Sequence, residues 1–195
     1  MYEKQMLLHD AIVFATQKHA GQKRKGTDTD YICHPLEVLS IVMLASPRNV
    51  DLQIAAVLHD VVEDCGVSLK EIRKRYGDKV ADYVGFVSDD PCFGWRENKQ
   101  NLIDTLKTAS ADVCILKGAD TLSNLRAMAA DLDVLGESLW ERFRTPKEDI
   151  RWYYKEKLLA TKEMRNHALT KALFDESKEL YEKIFDDLLL SKQWF

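Results

Sequence analysis

Apolar residues recur along this chain at intervals of three and four, the period of a helix with one buried face. Met6, Leu7, Ala11, Phe14 and Ala15 mark one side of a first helix over residues 2–20, closed by His19 and Gly21. From Gln22 to Tyr31 the period disappears, leaving a polar loop with a basic start; most such charge runs are solvated connectors. Pro35 suits the first turn of a second helix, where its missing N–H costs nothing, and Leu36, Val38, Leu39, Ile41, Val42 and Leu44 make that helix strongly apolar. Pro47 ends it, and Asp51 is the expected cap of the next. Ala55 to Asp64 then reads as one continuous buried helix, with Ile54, Val57, Leu58, Val61 and Val62 on a broad apolar stripe.

Ser68 and Glu71 form a capping box that starts a short helix through Tyr76. Helices are expected over residues 79–88 and from Trp95 to Thr108, with a turn-rich loop from Ser88 to Gly94 between them. Ser110 caps a helix carrying Val113, Ile115, Leu116, Ala119, Leu122 and Leu125. Residues 129–144 read as irregular or short helix. Thr145 and Glu148 suggest a second capping box, opening a helix to about Asn166, and a last helix covers roughly 171–190. No stretch alternates at period two for long enough to make a strand. The expected fold is all-α, a single-domain helical bundle over residues 1–195, with a motif-bearing core at about 8–128 and C-terminal helices over 145–190.

Composition narrows the functions on offer. The 195 residues suffice for one sizeable core. With 28 Lys+Arg against 32 Asp+Glu, the net charge of −4 is no footprint for non-specific nucleic-acid binding. No apolar run is long enough to span a bilayer, and the first residues lack a secretory pattern, so no nucleic-acid or membrane partner is expected. Cys33, Cys65, Cys92 and Cys114 have no CxxC spacing and read as reduced thiols of a cytoplasmic protein. The oligomeric state is left open.

The chemistry lies where ionisable residues interrupt apolar helices. His59, Asp60, Glu63 and Asp64 fall within two turns of the most hydrophobic segment. Buried charges of that density are costly unless paired or bound to a metal. His34 sits at the mouth of the second helix, and Asp120 interrupts the stripe of the helix capped by Ser110, one turn before Asn124. A lone histidine or aspartate is more often a satisfied structural group. Together, His34, His59, Asp60 and Asp120 make a mixed N/O ligand set suited to Mn²⁺, Fe²⁺ or catalytic Zn²⁺. Glu63 and Asp64, one turn along, are placed to orient a water or move its proton. No Walker A loop and no Gly-x-Ser-x-Gly elbow is present, which disfavours kinase, ATPase and serine hydrolase chemistry.

The ordered set His34, His59-Asp60, Asp120 resembles the H…HD…D pattern of the HD phosphohydrolase superfamily. Phe14-Ala15-x-x-x-His19-x-Gly21-Gln22-x-Arg24-Lys25-Gly26-Thr27, Tyr31-Ile32-x-His34-Pro35-Leu36, the Ala55–Asp64 stretch and Lys117-x-Ala119-Asp120-x-x-x-Asn124-Leu125-Arg126 further resemble the (p)ppGpp hydrolase domain of RelA/SpoT enzymes, especially the small alarmone hydrolases. The resemblance implies an HD helical bundle and one ion, usually Mn²⁺. It implies removal of the 3′-pyrophosphate from (p)ppGpp, with Glu63 and Asp64 serving the catalytic water. Arg24 and Lys25 would pack on the guanine end, and Asn124 would hold the nucleoside. The pattern departs from the family's at Asp30, where proline is usual, and at Thr121 and Ser123, where basic and ring residues are usual; these changes are expected to leave the ion site intact and to alter the base and ribose contacts. Two alternatives stand beside this reading: a phosphohydrolase of another nucleotide, such as an NADPH 2′-phosphatase or a nucleotidase, and a nucleotide-binding regulator without turnover.

Overall fold

The computed structural model describes residues 2–186; the last four residues expected in the final helix, 187–190, lie outside them. Among the described residues ten α-helices follow one another: α1 Tyr2–Lys18, α2 Cys33–Ala45, α3 Val50–Leu58, α4 Val61–Cys65, α5 Leu69–Tyr76, α6 Asp78–Val87, α7 Trp95–Leu106, α8 Ala111–Leu135, α9 Lys147–Ala160 and α10 Ala168–Phe185. Among the described residues, β pairing is confined to an isolated bridge between Lys23 and Asp30, and no helix is long and apolar enough to cross a membrane.

α3 is the hub. All its residues from Leu52 to Leu58 are buried, and it packs against α1, α2 and α6. Apart from Asp51 in its first turn and Gln53, whose amide donates to the Ser46 and Pro47 carbonyls, its side chains are apolar all round, so it can lie only inside other helices. α8, the longest helix at 25 residues, runs along α2 and α10 and carries Asp120 into the centre. Burial of these apolar faces is what offsets the chain entropy lost on folding.

Several local expectations change. Ala55–Asp64 is not one helix: the chain turns at His59 and Asp60, and α4 starts afresh at Val61. Asp60 sits at φ −99° and ψ −8°, outside ideal helical geometry. The cap of α3 is Asn49, whose side chain accepts from the Leu52 N–H, while Asp51 lies inside the first turn and pairs with Lys4. Ser68 and Ser110 cap α5 and α8, accepting from Glu71 and Val113. Thr145 caps nothing; α9 begins after Pro146 with no side-chain cap. α8 continues to Leu135, into the stretch expected to be irregular, and a 3-10 turn covers Gly136–Arg142. The helix expected to reach Asn166 ends at Ala160, followed by a 3-10 turn over Lys162–Asn166.

Candidate metal centre and its cavity

His34, His59, Asp60 and Asp120 meet at one point. The two Nε2 atoms lie 3.2 Å apart. Asp60 Oδ2 is 3.1 Å from His59 Nε2 and 3.5 Å from His34 Nε2. Asp120 Oδ1 is 3.4 Å from His34 Nε2 and 3.9 Å from His59 Nε2. His34, His59 and Asp120 are all buried. Each is fixed by a different piece of backbone: the first turn of α2, the turn between α3 and α4, and the middle of α8. The break at His59-Asp60 matters here. On a continuous helix two consecutive side chains diverge by about 100°; the turn lets both face the same point.

The outer atoms of each side chain are held as well. His59 Nδ1 donates to the Ala56 carbonyl at 2.8 Å. His34 Nδ1 lies 2.8 Å from Ser123 Oγ, whose own hydroxyl donates to Glu37 at 2.8 Å. That hydroxyl proton is committed, so His34 Nδ1 is the donor to Ser123. Both rings therefore turn an Nε2 toward the shared point. Glu37 is anchored by Arg126, which also grips Glu176. Tyr31 Oη donates to Asp60 Oδ2 at 2.7 Å, and Lys117 Nζ lies 2.9 Å from Asp120 Oδ2. Such outer partners set ligand orientation and tautomer.

The electrostatics are those of a cation site. Burial depresses His34 below the usual imidazole range, against the pull of Asp120. Burial also acts to lower His59, but Asp60 and Asp120 outweigh it and raise this ring to about 9. Despite burial, Lys117 holds the Asp120 carboxyl well below its usual range, and His59 does the same for Asp60. Two imidazole nitrogens in contact need a positive charge between them. The 3.1–3.9 Å separations of the Asp–His pairs overlap the edges of about 3.0–3.4 Å expected for N and O ligands bound at about 2.1 Å. The donor set fits a divalent ion, with no thiolate among it.

Glu63 and Asp64 lie at the rim, exposed to solvent. Glu63 accepts from the Asp89 N–H at 2.8 Å, and its partial burial raises its carboxyl above the usual range. Asp64 accepts from Gln22 Nε2 at 2.8 Å, and Gln22 Oε1 lies 2.7 Å from Nδ1 of the buried His19.

A cavity of about 480 Å³ adjoins the cluster, lined by Arg24, Lys25, Tyr31, His34, Asn124, Phe143 and Tyr154, among others. The polar loop is an ordered hairpin, with Arg24 N–H bonded to Thr29 and Tyr31 N–H to Gln22. Arg24 donates to Asn124 Oδ1 at 3.2 Å, and Asn124 Nδ2 donates to Asp120 Oδ1 at 2.5 Å, so the loop is tied to the metal side. Lys25 Nζ lies 4.8 Å from the Phe143 ring centre. Gly26, at φ +72°, passes so close to Arg142 that a Cβ would meet its guanidinium at 2.6 Å.

Thr121 and Ser123 do not face this cavity, which corrects the expectation that their identities bear on base and ribose contacts. Thr121 bonds back to the Lys117 carbonyl within α8, and Ser123 stands behind His34. Tyr31, Glu37, Gln22 and Ser123 were not assigned these supporting roles from sequence. Lys117 and Asn124, three residues before and four after Asp120 on one helix, have spacings that announce their partner.

The profile of the HD domain matches residues 11–140. The chain is 33% identical to guanosine-3′,5′-bis(diphosphate) 3′-pyrophosphohydrolase MESH1 of Mus musculus over 173 residues, 87% of this chain and 93% of that protein. The MESH1 of Drosophila melanogaster is 33% identical over 137 residues, 69% of this chain and 74% of the relative. Among solved structures, one described as a metazoan ortholog of SpoT that hydrolyzes ppGpp superposes with a TM-score of 0.77 at 26% identity, covering 94% of this chain and 97% of the other. A Listeria monocytogenes protein superposes at 0.69 with 30% identity, over 79% and 99%. His34, His59, Asp60 and Asp120 lie inside the matched span, and the chain belongs to the HD-domain family, among its MESH1 and SpoT-type members.

Proposed function

We infer that this protein is a metal-dependent phosphohydrolase that removes the 3′-pyrophosphate of guanosine-3′,5′-bis(diphosphate). One observation carries the reading: four N/O donors converge beside two rim carboxylates, Glu63 and Asp64, and a cavity lined by Arg24 and Lys25. The relatives that bear the name of this activity support it over nearly the whole chain.

His34, His59, Asp60 and Asp120 would hold the ion, and Mn²⁺ is the assignment that suits two imidazoles with two carboxylates. When bound, such an ion acidifies a water and polarises a phosphoryl oxygen. Glu63, with its raised carboxyl, accepts a proton from the attacking water. Asp64, held from behind by Gln22, orients that water. Arg24 stacks its planar guanidinium on the purine, and Lys25 adds charge toward the phosphates. Asn124 fixes Arg24 against the cluster.

The test is a Mn²⁺-supplemented panel of ppGpp, pppGpp, NADPH and nucleoside monophosphates. The expected products are GDP or GTP together with pyrophosphate. Orthophosphate release from NADPH or a monophosphate, with ppGpp untouched, overturns the guanosine assignment and returns another nucleotide phosphohydrolase. Tight nucleotide binding with no turnover of any substrate returns the regulator.

A further inference from the structure

His19 and Gln22 flank the tight turn by which the chain leaves α1. His19 is buried at 2% exposure, while Ala20 and Gly21 beside it are exposed. Gly21, at φ +81°, takes the left-handed angle that reverses the chain, and the Gln22 N–H returns to the His19 carbonyl at 3.0 Å. The Tyr31 ring lies against that of His19, their centres 4.9 Å apart, and the Tyr31 hydroxyl donates to Asp60. His19 therefore stands one side chain behind Asp60 and, through Gln22, one side chain behind Asp64.

A glutamine amide donates from one end and accepts at the other, and turning it over exchanges the two. The Asp64 carboxylate offers acceptor oxygens, so Gln22 must present Nε2 to it, as it does at 2.8 Å. Gln22 Oε1 is then left facing His19 Nδ1 at 2.7 Å, and an oxygen there requires that Nδ1 carry the ring proton. Cys65 Sγ lies 3.3 Å from the same nitrogen, but sulfur is the weaker acceptor and the more distant one. With the proton on Nε2 instead, two lone pairs would meet between Nδ1 and Oε1. The amide would then favour the reversed orientation, which sets its oxygen against Asp64. Among the described residues, Gln22 is the hydrogen-bond donor to the Asp64 side chain, which is otherwise exposed at the rim. A glutamine side chain has several free torsions, so it orients a neighbour only when its far end is held.

We propose that His19 is a positioning residue for Asp64: its Nδ1–H fixes which way the Gln22 amide faces, and the amide in turn fixes the carboxylate beside the His34–His59–Asp60–Asp120 cluster. The proposal rests on the reading of Asp64 as the residue that orients the attacking water, and it adds how that residue is held. It also gives a role to His19 and Gly21 of the His19-x-Gly21-Gln22 motif. The glycine makes the turn, and the histidine selects the amide orientation.

The test is steady-state ppGpp hydrolysis by the Mn²⁺-loaded full-length protein, with metal content measured throughout. His19→Leu should lower kcat by roughly ten- to a hundredfold, with KM and metal content as in wild type. His19→Asn, whose amide N–H can stand near the Nδ1 position, should bring kcat back to within about threefold of wild type. An asparagine variant as slow as the leucine variant overturns the hydrogen-bond role and leaves only packing. Adding Gln22→Leu to His19→Leu should cost nothing further, since both act through one contact; losses that add overturn the proposal. Should His19→Leu not fold, the ¹H–¹⁵N spectrum of the wild-type histidine ring decides: a proton on Nδ1 supports the chain of contacts, and a bare Nδ1 overturns it. That spectrum does not depend on turnover, so an Nδ1 proton in a protein inactive toward ppGpp supports the hold on Gln22 and removes only the guanosine assignment.

Discussion

Ser123 Oγ lies 2.8 Å from Nδ1 of His34, and that contact aims the other ring nitrogen at the point where His59, Asp60 and Asp120 meet it. The hydroxyl proton goes to Glu37, so the serine can only accept from the ring. Ser123→Ala should therefore leave the fold intact and lower metal affinity by roughly ten- to a hundredfold. Metal titration of the purified variant measures this, and unchanged affinity would mean that helix packing alone orients His34.

Lys117 and Asp120 are a buried pair at 2.9 Å. Lys117→Met leaves the carboxylate without its neutralising partner, a change that costs about 3–5 kcal/mol for buried pairs. Thermal unfolding of the metal-free variant should show that loss. Added Mn²⁺ should recover part of it, because the ion supplies charge at the opposite oxygen.

Glu63→Gln removes the proposed proton acceptor without touching a ligand. Turnover should fall by roughly a hundred- to ten-thousandfold, with the metal content of wild type. A variant that keeps its rate would place the proton transfer on Asp64.

The pH dependence of the metal-free protein follows from His59. Its folded-state value is raised to about 9, above the 6.5 of an unperturbed imidazole. Its contribution to stability is thus fully present below pH 6.5 and is lost as pH rises from 6.5 through 9. His34 is shifted downward, so its effect falls below pH 6.5 and leaves that window clear. The melting temperature of chelator-treated protein should decline across the window, and His59→Gln should flatten the decline. Metal affinity should rise over the same range, since an ion must displace the His59 proton.

Gly26→Ala combines a left-handed backbone angle with a clash against Arg142. The strain of about 1–2 kcal/mol falls on the hairpin carrying Arg24 and Lys25. KM for the nucleotide should rise with metal binding unaffected, and an unchanged KM would place the base elsewhere.

The chain's periodicity and composition determined a good deal. Apolar residues at three- and four-residue intervals required helices, and their density around Ala55–Val62 required burial. The residue types of His34, His59, Asp60 and Asp120 specified the kind of chemistry, because ionisable groups on apolar faces need a partner. Caps with a local signal, Ser68 and Ser110, were legible for the same reason: donor and acceptor lie three residues apart.

Tertiary structure decided the rest. The turn at His59-Asp60 has no glycine or proline to announce it; it arises where α3 must stay inside the core while α4 turns out to the rim. Ser123 behind His34 spans 89 residues and Arg24 against Asn124 spans 100, separations that carry no periodic trace. Burial of Lys157 against the Tyr153 and Tyr154 rings is likewise a product of packing, with no signal in the sequence. Spacing along a helix records which residues share a face; which faces meet depends on how ten helices fill one volume, and that is a property of the whole chain.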